Sequence, residues 1–274
     1  MLAFPGRMKK NRHILILSAA MTARPLHLTT YNIHKGFSQF NRRLMVHDLR
    51  QQLRALNPDL LFLQEVQGLH QHHANRHGDW PELPQHEFLA EDHWHASYGA
   101  NMAYEHGHHG NAILSRHPIL ASHNQDVTHL QFERRGLLHT QVQPAGWSQP
   151  LHCVCAHLSL FGTSRRRQMQ ALIDKLEQVA PPGTPLIIAG DFNDWSNAAD
   201  RVLVRQLGLT EAFEVFGQQP RRSFPARLPL FRLDRIYVRD LKIEHAEVHW
   251  GGSWARISDH AALSAWITPA NGAP

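Results

Sequence analysis

Pro185-Leu186-Ile187-Ile188-Ala189-Gly190-Asp191-Phe192-Asn193 is an apolar run that ends on a carboxylate and an amide. Residues 185–190 read as a buried strand, and the polar residues after them as a turn at its end. The arrangement recurs along the chain. Asn32 follows Leu28-Thr29-Thr30-Tyr31, and Glu65 follows Leu60-Leu61-Phe62-Leu63-Gln64. Asp234 lies within Arg232-Leu233-Asp234-Arg235-Ile236-Tyr237-Val238, and Asp259-His260 precedes Ala261-Ala262-Leu263. A carboxylate at the end of a buried strand is costly unless it is paired or binds a cation. One would be a cap or a turn residue. Their recurrence at strand ends points to convergence on one site. Oxygen ligands of this kind suit Mg²⁺, with Mn²⁺ as the alternative.

Working outward, strand-like and helix-like segments alternate. Strands are expected at 26–33, 60–66, 96–103, 110–115, 136–143, 151–158, 233–238, 242–250 and 261–267. Helical spacing of apolar residues marks 42–56, 164–179 and 198–207. Asn57-Pro58 stops the first of these helices, and Thr163 or Ser164 caps the second. Residues 67–92, rich in His and Pro, read as a loop with a helical turn. Many strands with a few helices fit two packed sheets with helices outside.

Composition narrows the function classes. The chain has 274 residues, 42% apolar and 19% charged, a globular and lightly charged balance. That is too apolar for intrinsic disorder, and long enough to bury a core without staples. Two cysteines, Cys153 and Cys155, make no disulfide framework. Two apart in one strand, they share a face and are badly aimed to pair. No apolar run reaches the roughly 20 residues that span a bilayer. The formal charge of +5 suits a phosphate ester, a nucleic acid or an anionic lipid headgroup. The 23 histidines read as surface residues. The tracts His70, His72, His73 and His106, His108, His109 read as adventitious metal binders, because no matching ligand motif accompanies them. Residues 8–20 resemble a poor signal peptide. We read residues 1–24 as a disordered extension or a misassigned start, and 25–270 as one domain. The expected location is cytoplasmic, with export the alternative.

Seven motifs occur in order: Tyr31-Asn32-Ile33, Leu63-Gln64-Glu65-Val66, Gly110-Asn111-Ala112-Ile113-Leu114-Ser115-Arg116, Ala156-His157-Leu158, Gly190-Asp191-Phe192-Asn193, Leu233-Asp234-Arg235-Ile236 and Ser258-Asp259-His260. Together they resemble the endonuclease/exonuclease/phosphatase superfamily, over about residues 28–267. The stretches Asn32-Ile33-His34-Lys35-Gly36-Phe37 and Gly107-His108-His109-Gly110-Asn111 are most similar to a small bacterial branch of undefined substrate. The resemblance implies an α+β, DNase-I-like fold: a four-layer α/β/β/α sandwich of two mainly antiparallel sheets with outer helices. It also implies roles. Glu65 would be the main metal carboxylate, with Asn32 beside it and Asp259 supporting the metal side. Asp191, held by Asn193, would orient or deprotonate the attacking water. His260 would stabilise charge on the phosphate, with Asp234 aiming its imidazole, and His157 would be a second phosphate-facing imidazole. Asn111 would contact the phosphate or tie the loop. Arg135 and Arg165 are candidate phosphate contacts, since guanidinium forks suit phosphate.

The implied activity is Mg²⁺-dependent phosphoester hydrolysis, most consistent with a phosphodiesterase using in-line attack of a metal-assisted water. The implied substrates are nucleic acid or a phospholipid headgroup. The alternatives are a lipid-headgroup phosphodiesterase or phosphatase at a membrane surface, and a binding module without turnover. Phe37, Phe40, Phe161, Phe224 and residues 228–231 are apolar candidates for the membrane reading, and Trp195 for a wall of the cleft. Abasic-site endonucleases of the superfamily carry a carboxylate where His34 stands and a tyrosine where His157 stands. Both departures point away from abasic-site repair.

Overall fold

In the computed structural model, residues 24–70, 76–216 and 221–270 are described. The expected extension at 1–24 therefore lies almost wholly outside the described residues, as do His72 and His73. Two six-stranded sheets form the centre. The first contains β1 (Leu26–Asn32), β2 (Leu60–His70), β3 (His95–Tyr104), β4 (Gly107–Ser115), β11 (Leu241–His249) and β12 (Ala262–Pro269), in the order β11-β12-β1-β2-β4-β3. The second contains β5 (Ile119–Asp126), β6 (Gly136–Val142), β7 (Leu151–His157), β8 (Leu186–Asp191), β9 (Thr210–Glu211) and β10 (Asp234–Arg239), in the order β5-β6-β7-β8-β10-β9.

Each sheet is antiparallel except for one central parallel pair, β1 with β2 and β7 with β8. A parallel pair needs a crossover. The two crossovers run through α1 (Val46–Leu56) and α3 (Gly162–Val179). With α2 (Gln85–Ala90), α4 (Ala198–Leu207) and α5 (Trp254–Ile257), these helices lie on the outer faces.

Strand alternation explains the layers. Leu60, Phe62 and Leu28 turn inward and meet Cys153, Cys155, Ile187 and Ile236 of the other sheet. Tyr31, Leu61 and Leu63 turn outward under Leu49 and Leu53 of α1. Val154, Leu186 and Ile188 meet Leu172, Ile173 and Leu176 of α3 on the far side. Polar ties also cross the seam between the sheets. Gln64 Nε2 donates to Cys155 Sγ at 3.2 Å, and Asn111 Nδ2 donates to the carbonyls of Gly136 and Cys155 at 3.0 and 3.3 Å. Both cysteines are free and buried.

The topology brings the motif residues to one edge. Strands β1, β7 and β8 finish there, β2 passes it at Gln64 and Glu65, and β10 and β12 begin there. Asn32 is the last residue of β1, and His157 and Asp191 are the last of β7 and β8. Asp191 is in register with His157 on one side and with Asp234, the first residue of β10, on the other.

Some expectations need correction. Residues 119–126, where the sequence predicts no strand, form β5. It is an edge strand with mostly exposed side chains, so it needs no apolar face and shows no apolar alternation. Helix α1 begins at Val46, because residues 42–45 are drawn aside by the Phe37–Leu44 bridge. Helix α3 begins after Phe161 without a side-chain cap. Ser164 is buried and bonds His129 Nδ1 at 2.8 Å instead. In 67–92, β2 continues to His70 and α2 occupies 85–90.

The approach of β8 to β7 requires a glycine just before Asp191. Gly190 has φ +147°, and a Cβ there would sit 1.9 Å from the Ala156 carbonyl oxygen. Gly190→Ala should cost about 2–4 kcal/mol through this backbone clash. Denaturant unfolding reads it, and a loss under about 0.5 kcal/mol, the scale of a neutral surface change, would contradict the close packing.

Candidate active site

Glu65 reaches the site through a bulge. The β2–β4 register steps from Leu63 opposite Ala112 to Val66 opposite Gly110, leaving two residues against one, and Glu65 takes φ +56°. Strict alternation would send Glu65 after Leu61 and Leu63 to the helix side. The extra residue re-aims it to the edge. A non-glycine residue in this region is strained and persists only when its surroundings hold it. Here Asn32 Nδ2 contacts Glu65 Oε1 at 3.4 Å, and Lys35 Nζ stands 3.2 Å from Oε2.

Lys35 is presented by a left-handed turn in which His34, Lys35 and Gly36 have φ of +46°, +57° and +75°. Buried Gln85 of α2 fixes that turn. Its Nε2 donates to the Lys35 carbonyl at 2.8 Å, while its Oε1 accepts from the Gln67 N–H at 2.9 Å. Burial by itself would raise the Glu65 pKa. The neighbouring charges, that of Lys35 foremost, overcome it and hold the carboxyl well below the usual range.

Asn32 joins the two halves. The same Nδ2 donates to Asp191 Oδ2 at 3.1 Å, while Asn32 Oδ1 accepts from the His34 N–H at 3.1 Å. Asp191 Oδ1 accepts from the Asn193 N–H at 2.9 Å. The Asn193 amide is anchored in turn on the Leu158 carbonyl at 2.9 Å. His260 Nδ1 and Asp234 Oδ2 are 2.8 Å apart, and His260 Nε2 stands 3.8 Å from Asp191 Oδ2. His157 Nε2 approaches the same oxygen at 3.6 Å. Ser258 Oγ locks the His260 loop to β1: it donates to the Asn32 carbonyl at 2.6 Å and accepts from the His260 N–H at 3.2 Å.

This geometry separates the proton affinities. Burial raises Asp191, helped by the charge of Asp234 and opposed by His260, to about 7. Burial would lower His260, but Asp234 and Asp191 push it up to about 10. Burial, aided by Arg135, drives His157 well below its ordinary value. At neutral pH the edge therefore holds one charged and one neutral imidazole beside a carboxylate poised to gain or lose a proton.

These groups line a hollow of about 160 Å³. Asn32, Glu65, His157, Asp191, Asn193 and His260 form its polar part, with Arg135 at the side. Leu160, Trp195, Phe224 and Leu233 supply apolar walls. Of the residues expected from the sequence, these seven polar ones and Trp195 meet here, and Asp234 stands directly behind His260. Three others are placed elsewhere. Asn111 is fully buried and ties the two sheets. The Arg165 guanidinium bonds the Ser159 and Leu160 carbonyls at 2.9 and 3.1 Å. Asp259 faces His34 Nδ1 at 3.4 Å. Phe224, an apolar candidate for the membrane reading, lines the hollow, whereas Lys35, Gln85 and Ser258 have no site role on sequence grounds. The Lys35-Gly36 pair just after β1 was the available signal for Lys35. Among the apolar candidates, Phe37 is buried against Trp80, whereas Phe40, Phe161, Leu228, Leu230 and Phe231 are exposed.

Two sets of atoms could hold a cation. Ligand atoms of Asp191, Asp234 and His260 lie within 4.8 Å of one another. His260, however, keeps its proton between two carboxylates, which makes that set a hydrogen-bonded relay. Glu65 fits a hard divalent cation better. It is held ionised, it faces the hollow, and its Oε2 accepts no hydrogen bond, being engaged by the Lys35 ammonium as an ion pair at 3.2 Å. The Asn32 amide points its nitrogen into the hollow, so it would present oxygen after a half-turn of the amide. Among the described residues, the histidine tracts form no further ligand group. His108, for example, bonds the Tyr98 hydroxyl at 2.9 Å.

The chain is similar to known proteins in sequence and in fold. The uncharacterized protein YbhP of Escherichia coli (strain K12) is 41% identical over 239 residues, covering 87% of this chain and 94% of YbhP. The D. rerio TDP2 structure complexed with single strand DNA product shares the fold, with TM-score 0.67 and 21% identity, over 89% of this chain and 99% of that one. The human Nocturnin catalytic domain with bound sulfate anion gives TM-score 0.68 and 18% identity, over 90% and 96%. The model of the Endonuclease/Exonuclease/phosphatase family matches residues 29–260, and the chain belongs to that family.

Proposed function

We propose that this chain is a Mg²⁺-dependent phosphodiesterase, with Mn²⁺ able to substitute, and that residues 25–270 are the unit that carries the activity. The observation that supports this most is the relay Asp234–His260–Asp191 facing Glu65 across the single amide of Asn32. The family's activity on phosphate esters sets the reaction class.

Glu65, with Asn32 turned to offer its oxygen, would hold the cation, which supplies charge neutralisation and Lewis acidity to the phosphoryl group. Asp191 orients water for in-line attack and takes its proton. Its hydrogen bond from the Asn193 N–H, which the Asn32 turn leaves in place, aims the carboxylate. A base with a pKa near 7 is matched to work at neutral pH. Protonated His260 donates from Nε2 to the phosphoryl oxygen on which charge builds, and Asp234, bonded to Nδ1, keeps the ring protonated and aimed. Neutral His157 offers a second N–H donor. Positive charge in the hollow is modest, because Arg135 is paired with Glu133 at 3.1 Å and Lys35 with Glu65. That suits the single negative charge of a diester. Asn111, Arg165 and Asp259 act from behind the hollow, by tying sheets, closing the 159–160 loop and holding His34.

Hydrolysis of bis-p-nitrophenyl phosphate should require Mg²⁺ or Mn²⁺. It should fall by about 10²–10⁴-fold in Glu65→Gln, Asp191→Asn and His260→Ala, the range for removing a positioned acid, base or oxyanion donor. Variants as active as the wild type would remove the proposal. Binding of Mg²⁺ with no turnover on any phosphoester would favour the non-catalytic module.

The pH profile has a defined sign. Asp191 must be ionised, so the rate should rise through about pH 7. His260 must be protonated, so it should fall toward about pH 10. The Asp234 charge raises both groups, so Asp234→Asn should move both limbs to lower pH. Limbs that stay in place would show that Asp234 has only a packing role.

A further inference from the structure

We propose that the mouth of the hollow is a docking face for the surface of an anionic phospholipid bilayer, which presents a headgroup phosphodiester to Asp191 and His260. This rests on the phosphodiesterase reading above and names its substrate class. Two exposed apolar walls flank the entrance. On one side Leu160 lines the hollow itself. Beyond it Phe132, 69% exposed, meets half-exposed Phe161 edge-on at 5.9 Å. The loops carrying them are clamped by buried Glu133, which accepts from the Leu160 N–H at 2.9 Å and from Ser159 Oγ. On the other side Trp195 packs against Phe231 at 4.8 Å. Leu228, 64% exposed, and Leu230 project from the same turn. That turn is also held, by backbone bonds between Phe224 and Phe231 at 2.8 and 3.0 Å.

Apolar side chains on fixed loops around an active-site mouth mark an interaction surface. Charge indicates the partner. The stretches 159–167 and 221–232 carry exposed Arg166, Arg167, Arg221, Arg222 and Arg227 and no acidic residue at all. Glu133 on the adjoining loop is buried. Apolar tips with exposed arginines in the same stretches match an anionic interface, where the tips enter the acyl boundary and the guanidinium groups meet phosphates. Single-stranded nucleic acid would use the same charge but needs flat rings for stacking. The exposed rings here are packed edge-on against one another, Phe132 on Phe161 and Trp195 on Phe231, and Leu160, Leu228 and Leu230 extend the exposed surface with no π face. No helix of the described residues is long and apolar enough to cross a membrane, so attachment would be at the surface.

Flotation of the full chain with vesicles tests the proposal without turnover. The protein should float with vesicles of phosphatidylcholine plus phosphatidylglycerol, and weakly with phosphatidylcholine alone. Leu228→Ser with Leu230→Ser, and separately Phe132→Ser with Phe161→Ser, should each lower the bound fraction about tenfold, given the apolar area withdrawn, while keeping the wild-type melting temperature. His260→Ala should float like the wild type. No flotation, or flotation that neither double variant weakens, overturns the docking face. Binding of a single-stranded oligonucleotide that both variants abolish, without flotation, overturns it in favour of nucleic acid. A protein that floats yet cleaves no phosphodiester sinks the phosphodiesterase reading and leaves the docking face standing.

Discussion

Asp191 is in register with His157 across a parallel pair and with Asp234 across an antiparallel one, and the rest of the site is arranged around that constraint. A strand residue with a neighbour on both sides cannot slide without moving every side chain of its strand to the other face. The position of the carboxylate is therefore set by the core packing of β8, not by a mobile loop. His260 then bridges Asp191 and Asp234, which are brought together by backbone pairing before any side-chain chemistry begins. The first sheet adds its part through a bulge in β2. Glu65 leaves strict alternation at the one place where this turns it toward the same hollow.

Burying these ionisable groups is affordable only because each has a partner. Glu65 has Lys35 and Asn32. Asp191 has Asn32, the Asn193 N–H and two imidazoles. The relay leaves one acceptor short, since Asp234 Oδ1 is buried without a hydrogen bond. An acceptor without a donor keeps negative charge near His260, and that helps hold the imidazole protonated in a place where burial alone would strip it.

Much of this was legible in the sequence because strand ends are. Apolar runs closed by Asn32, Glu65 and Asp191, with Asp234 opening another, marked both the strands and the edge where they meet. The two crossover helices were legible from apolar spacing. What stayed hidden is what depends on register or on exposed surface. The edge strand 119–126 has no buried face to reveal it. The bulge at Glu65 leaves no local trace in Leu63-Gln64-Glu65-Val66. Asn111 sits in a motif yet spends its amide on two carbonyls across the sheet seam, and Asp259 is drawn to His34, a contact between residues 225 positions apart. Arg165 looked like a phosphate ligand by residue type, but loop carbonyls hold its guanidinium. Each of these outcomes is set by three-dimensional neighbours that spacing along the chain does not encode.

The central claim is that a carboxylate kept ionised on one sheet faces a proton-holding relay on the other, so that a divalent cation and a phosphoryl group fit between them. Anomalous diffraction from crystals soaked in Mn²⁺ tests it most directly. The account predicts a peak at the Glu65 carboxylate, with the His260–Asp234 contact intact. A peak seated among Asp191, Asp234 and His260, with that imidazole deprotonated to ligate it, would contradict the account.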